Sequence, residues 1–87
     1  MNFKKLEILD LSINKITSIK IFEKVDFKEL RVLNFYSNNI SSTKILDKIE
    51  FKKLEKLDIR NNKIDLITNL PIINNLLSRI NLVEFIF

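Results

Sequence analysis

The sequence predicts an α/β repeat fold, a short solenoid with parallel strands on its concave side and short helices or 3-10 turns on its convex side. Three observations carry this. The 87-residue chain is self-similar at a period of 24 residues. Within each period, apolar residues first alternate in the manner of a strand and then recur every third position. The chain also lacks glycine, cysteine and histidine altogether, so its order must come from like units burying one another's apolar faces, with no disulfide or metal staple.

The period is read directly from the residues. Phe3, Phe27 and Phe51 align, as do Leu6, Leu30 and Leu54, then Leu9, Leu33 and Leu57, then Leu11, Phe35 and Ile59. The register continues through Asn14, Asn38 and Asn62, and through Ile16, Ile40 and Ile64. Ile19, Thr43 and Ile67 follow, then Phe22, Leu46 and Leu70, then Val25, Ile49 and Ile73, with Thr43 as the lone polar residue in an apolar lane. Repeats at about 3–26, 27–50 and 51–76, with an irregular terminal unit 77–87, make one domain over 1–87.

Each element follows from local spacing. Leu9 and Leu11 face one side of a strand, with Ile8, Asp10 and Ser12 on the other, and the next two repeats do the same. The Asn that follows is expected inside a turn, where its amide can donate to and accept from backbone groups that lose their ladder partners. Ile16, Ile19, Phe22 and Val25 then step by three, which fits a turn and a short helix or 3-10 segment preceded by Ser18, with Ser42 at the matching place in the second repeat. In the third repeat, Asn69 ahead of Leu70 and Pro71 reads as a helix start, and Ile72, Ile73, Leu76, Leu77 and Ile80 form one apolar helical face. A terminal strand over 81–87 is expected next. A shift of 23 residues also places Leu77, Ile80 and Leu82 on the leucine pattern, with Phe85 where Asn would stand.

The segments 6–16, 30–40 and 54–64 (LEILDLSINKI, LRVLNFYSNNI, LEKLDIRNNKI) each satisfy L-x-x-L-x-L-x-x-N-x-I, with Phe35 and Ile59 as apolar variants. In this the chain resembles leucine-rich repeat proteins, over about residues 3–73. Within that family it is most similar to the class of protein-phosphatase-1 regulators and a spliceosomal leucine-rich protein, whose repeat is slightly shorter. The resemblance implies a non-enzymatic scaffold or regulator that binds a protein through its concave face, a phosphatase-like enzyme being the kind of target that class points to.

Composition narrows the function further. Cys or His zinc sites, a Ser-His-Asp triad, a catalytic thiol and a glycine-rich phosphate loop all lack their residues, and no cofactor or metal is expected. The net charge of +4 is spread among mixed signs. The basic ridge of Lys4, Lys5, Lys28, Lys52 and Lys53 is interrupted by Glu29, so it reads as a solvated edge and nucleic acid is not an expected partner. No apolar run reaches membrane-spanning length and the first residues hold no apolar signal segment, which points to an intracellular, cytoplasmic protein.

The candidate partner-binding residues are the outward strand positions: Ile8, Val32 and Lys56; Asp10, Asn34 and Asp58; Ser12, Tyr36 and Arg60. Tyr36 and Arg60 are the expected anchors, because aromatic and Arg side chains dominate protein interfaces. Asp10 and Asp58 share a lane open to water, two strands apart, which would suit the paired carboxylates of a glycosidase only if something enclosed a sugar, and nothing does. The column of Asn and the column of Phe read as structural. The second functional reading is end-to-end assembly through Val83, Phe85, Ile86 and Phe87 or capping of the open ends by a partner, and the third is a truncated fragment without function of its own.

Overall fold

The computed structural model describes residues 3–79 and 84–86. Four three-residue strands, β1 (Ile8–Asp10), β2 (Val32–Asn34), β3 (Lys56–Asp58) and β4 (Glu84–Ile86), form one parallel sheet in chain order. Two 3-10 segments, η1 (Lys20–Lys24) and η2 (Lys44–Lys48), return the chain from β1 and β2, and a helix, α1 (Leu66–Arg79), returns it from β3. The spacing of three in the first two repeats thus becomes 3-10 helix, whose three residues per turn it matches.

The first three strands pair with the register of the sequence period: Leu9 opposite Leu33, and Leu33 opposite Leu57. Their inward residues, with the Phe, Leu and Ile lanes around them, make one core between the strands and the 3-10 segments. Leu30, Leu33, Leu54 and Leu57 are at most 2% exposed. The equivalent residues of the first repeat, Leu6 and Leu9, are only half-buried, since no repeat precedes them among the described residues. Phe27 stacks between Phe3 and Phe51, with ring centroids 6.1 and 6.2 Å away, so the Phe column is core as expected.

The Asn column carries the turn. Asn38 Nδ2 donates to Phe35 O of its own repeat and Leu11 O of the preceding one, both at 3.0 Å, while its Oδ1 accepts the Ile16 N–H at 3.1 Å. Asn62 repeats this one unit on, donating to Ile59 O and Phe35 O and accepting from Ile40 N. Asn14 donates only within its own repeat, to Leu11 O and Ser12 O. One residue ahead of each Asn the backbone turns left-handed, at Ile13 (φ 56°), Ser37 (φ 58°) and Asn61 (φ 54°). Asn tolerates this well, whereas a β-branched residue is forced there against its Cβ sterics, at a cost of roughly 1–2 kcal/mol.

The third return departs from the sequence reading. The helix begins at Leu66, not after Asn69, because Asp65 caps it: Oδ1 accepts the Ile67 N–H at 3.1 Å and Oδ2 the Thr68 hydroxyl at 2.8 Å. Pro71 lies inside it. Changing from three to 3.6 residues per turn rotates the apolar lanes, so Ile67, expected to follow Ile19 and Thr43 into the core, is 87% exposed. Its place is taken by buried Asn69, whose Oδ1 accepts both the backbone N–H and the hydroxyl of Thr43 at 2.9 Å. This pairing accounts for the lone polar residue in the apolar lane. Leu77 lies in α1 and is exposed, while Ile73 and Leu76 are buried.

The longer helix also lengthens the last step. Strand β4 pairs Phe85 with Leu57, an offset of 28 residues, so Phe85 occupies the leucine lane of the strands and not the Asn position that a shift of 23 gives it. Of the residues expected to assemble end to end, Val83 and Phe87 lie outside the described residues, and Phe85 and Ile86 are described as backbone.

Two stability measurements probe these turns. Asn38→Ala strands the Ile16 N–H and two carbonyls and is expected to cost about 2–3 kcal/mol, against less than about 1 kcal/mol for Asn14→Ala, read as shifts of the urea midpoint at unchanged slope. Equal losses would show that the inter-repeat bonds carry no extra weight. Ile13→Asn relieves the left-handed strain at an exposed site and is expected to raise stability by about 1 kcal/mol; a loss would mean that the isoleucine side chain supports the turn.

Candidate functional site

The outer face of the sheet is built on three equivalent rungs. Asp10, Asn34 and Asp58 each accept, through Oδ1, the backbone N–H two residues ahead, at 2.9, 2.8 and 3.0 Å. A carboxylate or amide there ties the end of the strand to the start of the turn. These bonds set the direction of Ser12, Tyr36 and Arg60, which follow on the same face.

The third rung differs from the first. Asp58, expected in a lane open to water, is 3% exposed, since β3 is flanked by strands on both sides and Arg60 folds back over it. Arg60 Nε donates to Oδ1 at 3.1 Å and Nη2 to Oδ2 at 2.8 Å, a bidentate clasp. The hydrogen bond from Arg60 holds the Asp58 carboxyl below its ordinary pKa, helped by the backbone bond and the positive charges of Arg60 and Lys56, and opposed by burial. A glycosidase acid would need the opposite shift. Asp10, bonded by Ser12, is also lowered.

The clasp positions Arg60 over Tyr36. The guanidinium carbon lies 5.1 Å from the ring centroid, a cation–π contact. Asn61 Nδ2 donates to the Tyr36 hydroxyl at 3.3 Å, holding the other end of the ring. Tyr36, Asp58, Arg60 and Asn61 are therefore one cluster. Asn61 adjoins Arg60 in the turn, and its left-handed backbone aims its amide across to the neighbouring repeat. Its signal in the sequence was only its place beside Arg60.

Of the remaining outward residues, Asn34 joins the cluster through the Tyr36 N–H and Lys56 through its charge beside Asp58. Ile8 is 62% exposed at one edge, Val32, Asn34 and Lys56 are half-buried, and Ser12 and Asp10 belong to the first rung. Together they give a face with an aliphatic side at the first strand and an aromatic–guanidinium side toward the third.

Across the molecule, Glu29 accepts from Lys53 at 2.8 Å and Lys28 lies 3.9 Å from Asp26, so the Lys ridge is partly neutralised. A groove of about 420 Å³ separates η1 from η2, lined by Ser18, Ser42, Lys20, Lys44, Lys48 and Glu23 among others. Ser18 and Ser42 spend their hydroxyl oxygens on the Lys20 and Lys44 N–H groups that open the 3-10 segments. Among the described residues no three metal-ligating side chains converge, and no helix is long and apolar enough to cross a membrane.

Parallel strands in leucine register, Asn bridges from the second and third turns to the turn before, and 3-10 returns after β1 and β2 define a class of repeat. The sequence model of the Leucine Rich Repeat family matches residues 53–85, the stretch that contains β3, its Asn turn and α1. Over this stretch the chain is similar to leucine-rich repeats, whose pattern it also carries at 6–16 and 30–40. Searches of curated proteins and of solved structures found no match.

The Asp58 clasp has a pH signature. Its native pKa lies below the unfolded value, so the stability it contributes is complete above about pH 4 and is lost as pH falls through the native pKa. Urea unfolding between about pH 7 and pH 2 should show this loss in wild type and a shallower one in Asp58→Asn. Parallel curves would assign the acid sensitivity to other carboxylates.

Proposed function

We propose that this chain is a short solenoid and a non-enzymatic binding module, which takes a protein partner on the outer, concave face of its sheet. Leucine-rich repeats commonly mediate protein–protein interaction, and the strand side of such stacks is the extended surface they use. The single observation that carries the reading is the Tyr36–Arg60 pair. It is an aromatic ring and a guanidinium already held in place by Asp58 and Asn61, so little side-chain entropy remains to be lost on binding. Such pre-organised Tyr and Arg residues have the character of binding hot spots.

Ile8 and Val32 supply apolar contact beside this anchor, and Asn34, Ser12, Asp10 and Lys56 a polar surround. Asp58 acts through Arg60, as the residue that positions it. The reading implies a scaffold or regulatory role with no chemistry of its own.

A photo-crosslinking side chain at Ser12 or Ser37, beside the anchor, should capture the partner, which mass spectrometry identifies. Tyr36→Ala and Arg60→Ala should then each weaken its binding at least about tenfold, equivalent to about 1.4 kcal/mol. Glu50→Ala, an exposed residue after η2 and outside the sheet, should leave it unchanged. Full binding by both anchor variants would overturn the assignment of the face.

A further inference from the structure

The two ends of the sheet differ from its middle in ways that fit them to each other. At the first repeat, the Asn14 amide oxygen accepts no bond among the described residues, whereas the same oxygen of Asn38 and of Asn62 takes an N–H from the preceding repeat. Phe3, Leu6, Leu9, Leu11 and Ile16 are half-buried, where their second-repeat counterparts are at most 2% exposed. This edge has the hydrogen-bonding and apolar pattern that, elsewhere in the chain, another repeat covers.

At the other end, α1 turns Leu66, Ile67, Leu70 and Leu77 to solvent, at 46, 87, 46 and 40% exposure. At about 100° per residue these four fall within roughly 100° of the helix circumference. Asn75, on the opposite flank, donates to Asp47 of η2 at 2.6 Å, so that flank faces back along the stack and the apolar stripe faces forward, beyond the third repeat. Among the described residues β4 is the last strand of the sheet, at its edge. The helix carries no charged residue from Leu66 to Ser78.

We propose that this forward end, the α1 stripe with the β4 edge, docks the first repeat of a second copy of the chain, head to tail. Strand sense selects this arrangement. All four strands are parallel, so the outer edge of β4 presents to β1 of another copy the same direction that β1 presents to β2. Apolar area meets apolar area on both sides, and the uncharged stripe offers nothing to attract a charged partner and nothing to repel a second copy. A head-to-tail contact leaves one free end of each kind on a dimer, so assembly continues past the dimer as concentration rises. The inference is independent of what the outer face of the sheet binds.

Sedimentation of the 87-residue protein from about 5 to 500 μM covers the range of a contact of this modest size. Wild type should pass from monomer to dimer and beyond. Ile67→Glu with Leu70→Glu, both exposed, should block the forward end, and Phe3→Glu the first-repeat end. Asn14→Lys, at an exposed site, serves for the latter if circular dichroism shows Phe3→Glu unfolded. Each blocked protein should be monomeric alone, and an equimolar mixture of the two kinds should form dimers and nothing longer. A wild type that stays monomeric throughout overturns the proposal. So does a first-repeat variant that still dimerises as wild type does, which would mean that helices pair with helices.

Discussion

The first two turns of this chain do not complete their own hydrogen bonds. The carbonyl of Leu11 and the N–H of Ile16 belong to the first turn, yet both are satisfied by Asn38 of the second, and Asn62 does the same for Phe35 and Ile40. An amide suits this place because it donates and accepts at once, whereas a carboxylate would leave the carbonyls orphaned and an aliphatic of the same size both the carbonyls and the N–H. Folding is thereby tied to stacking: each unit becomes stable as its successor arrives, which is how a chain with no disulfide holds three-residue strands in a sheet.

The same coupling orders the outer surface. Once the left-handed residue and the Asn fix each turn, the rung three residues before the left-handed one is directed outward, and the side chain two residues after the rung lies on the same face. In the third repeat this places Arg60 above Tyr36 with Asp58 underneath. Charges along the edge follow the register too. Arg31 lies between Glu7 and Glu55, at 3.6 and 3.1 Å, and Lys53 pairs with Glu29. Exposed pairs like these contribute little each, but like charges in these two lanes would stand about 4.8 Å apart from strand to strand, a repulsion that their alternation avoids.

Much of the architecture was legible because it depends on spacing. Alternation gave the strands, steps of three gave the 3-10 returns, and the Asn column gave the turn. The helix was misplaced at its start because Pro71 and Asn69 suggested a beginning that Asp65 supplies earlier, and from there the lanes of Ile67 and Leu70 rotate out of the core. The Thr43–Asn69 pair was invisible, since it joins two residues whose polarity only makes sense once the helix brings them together. For the site, Tyr36 and Arg60 could be named from residue type and lane, while the roles of Asp58 and Asn61 could not, because a carboxylate in an outward lane gives no sign that an arginine will fold back and bury it.

By itself the sequence determined the period, the pairing of like residues in β1, β2 and β3, and the identity of the core up to Ile64, since these follow from repetition: a residue that recurs in every unit meets its own equivalents. Tertiary structure alone decided what repetition does not dictate. It set the length and rotation of α1, the 28-residue step to β4, the burial of Asp58, and the exposure of the apolar stripe on α1. The physical reason is that these belong to the place where the period breaks, and there each residue's environment is fixed by its neighbours in space.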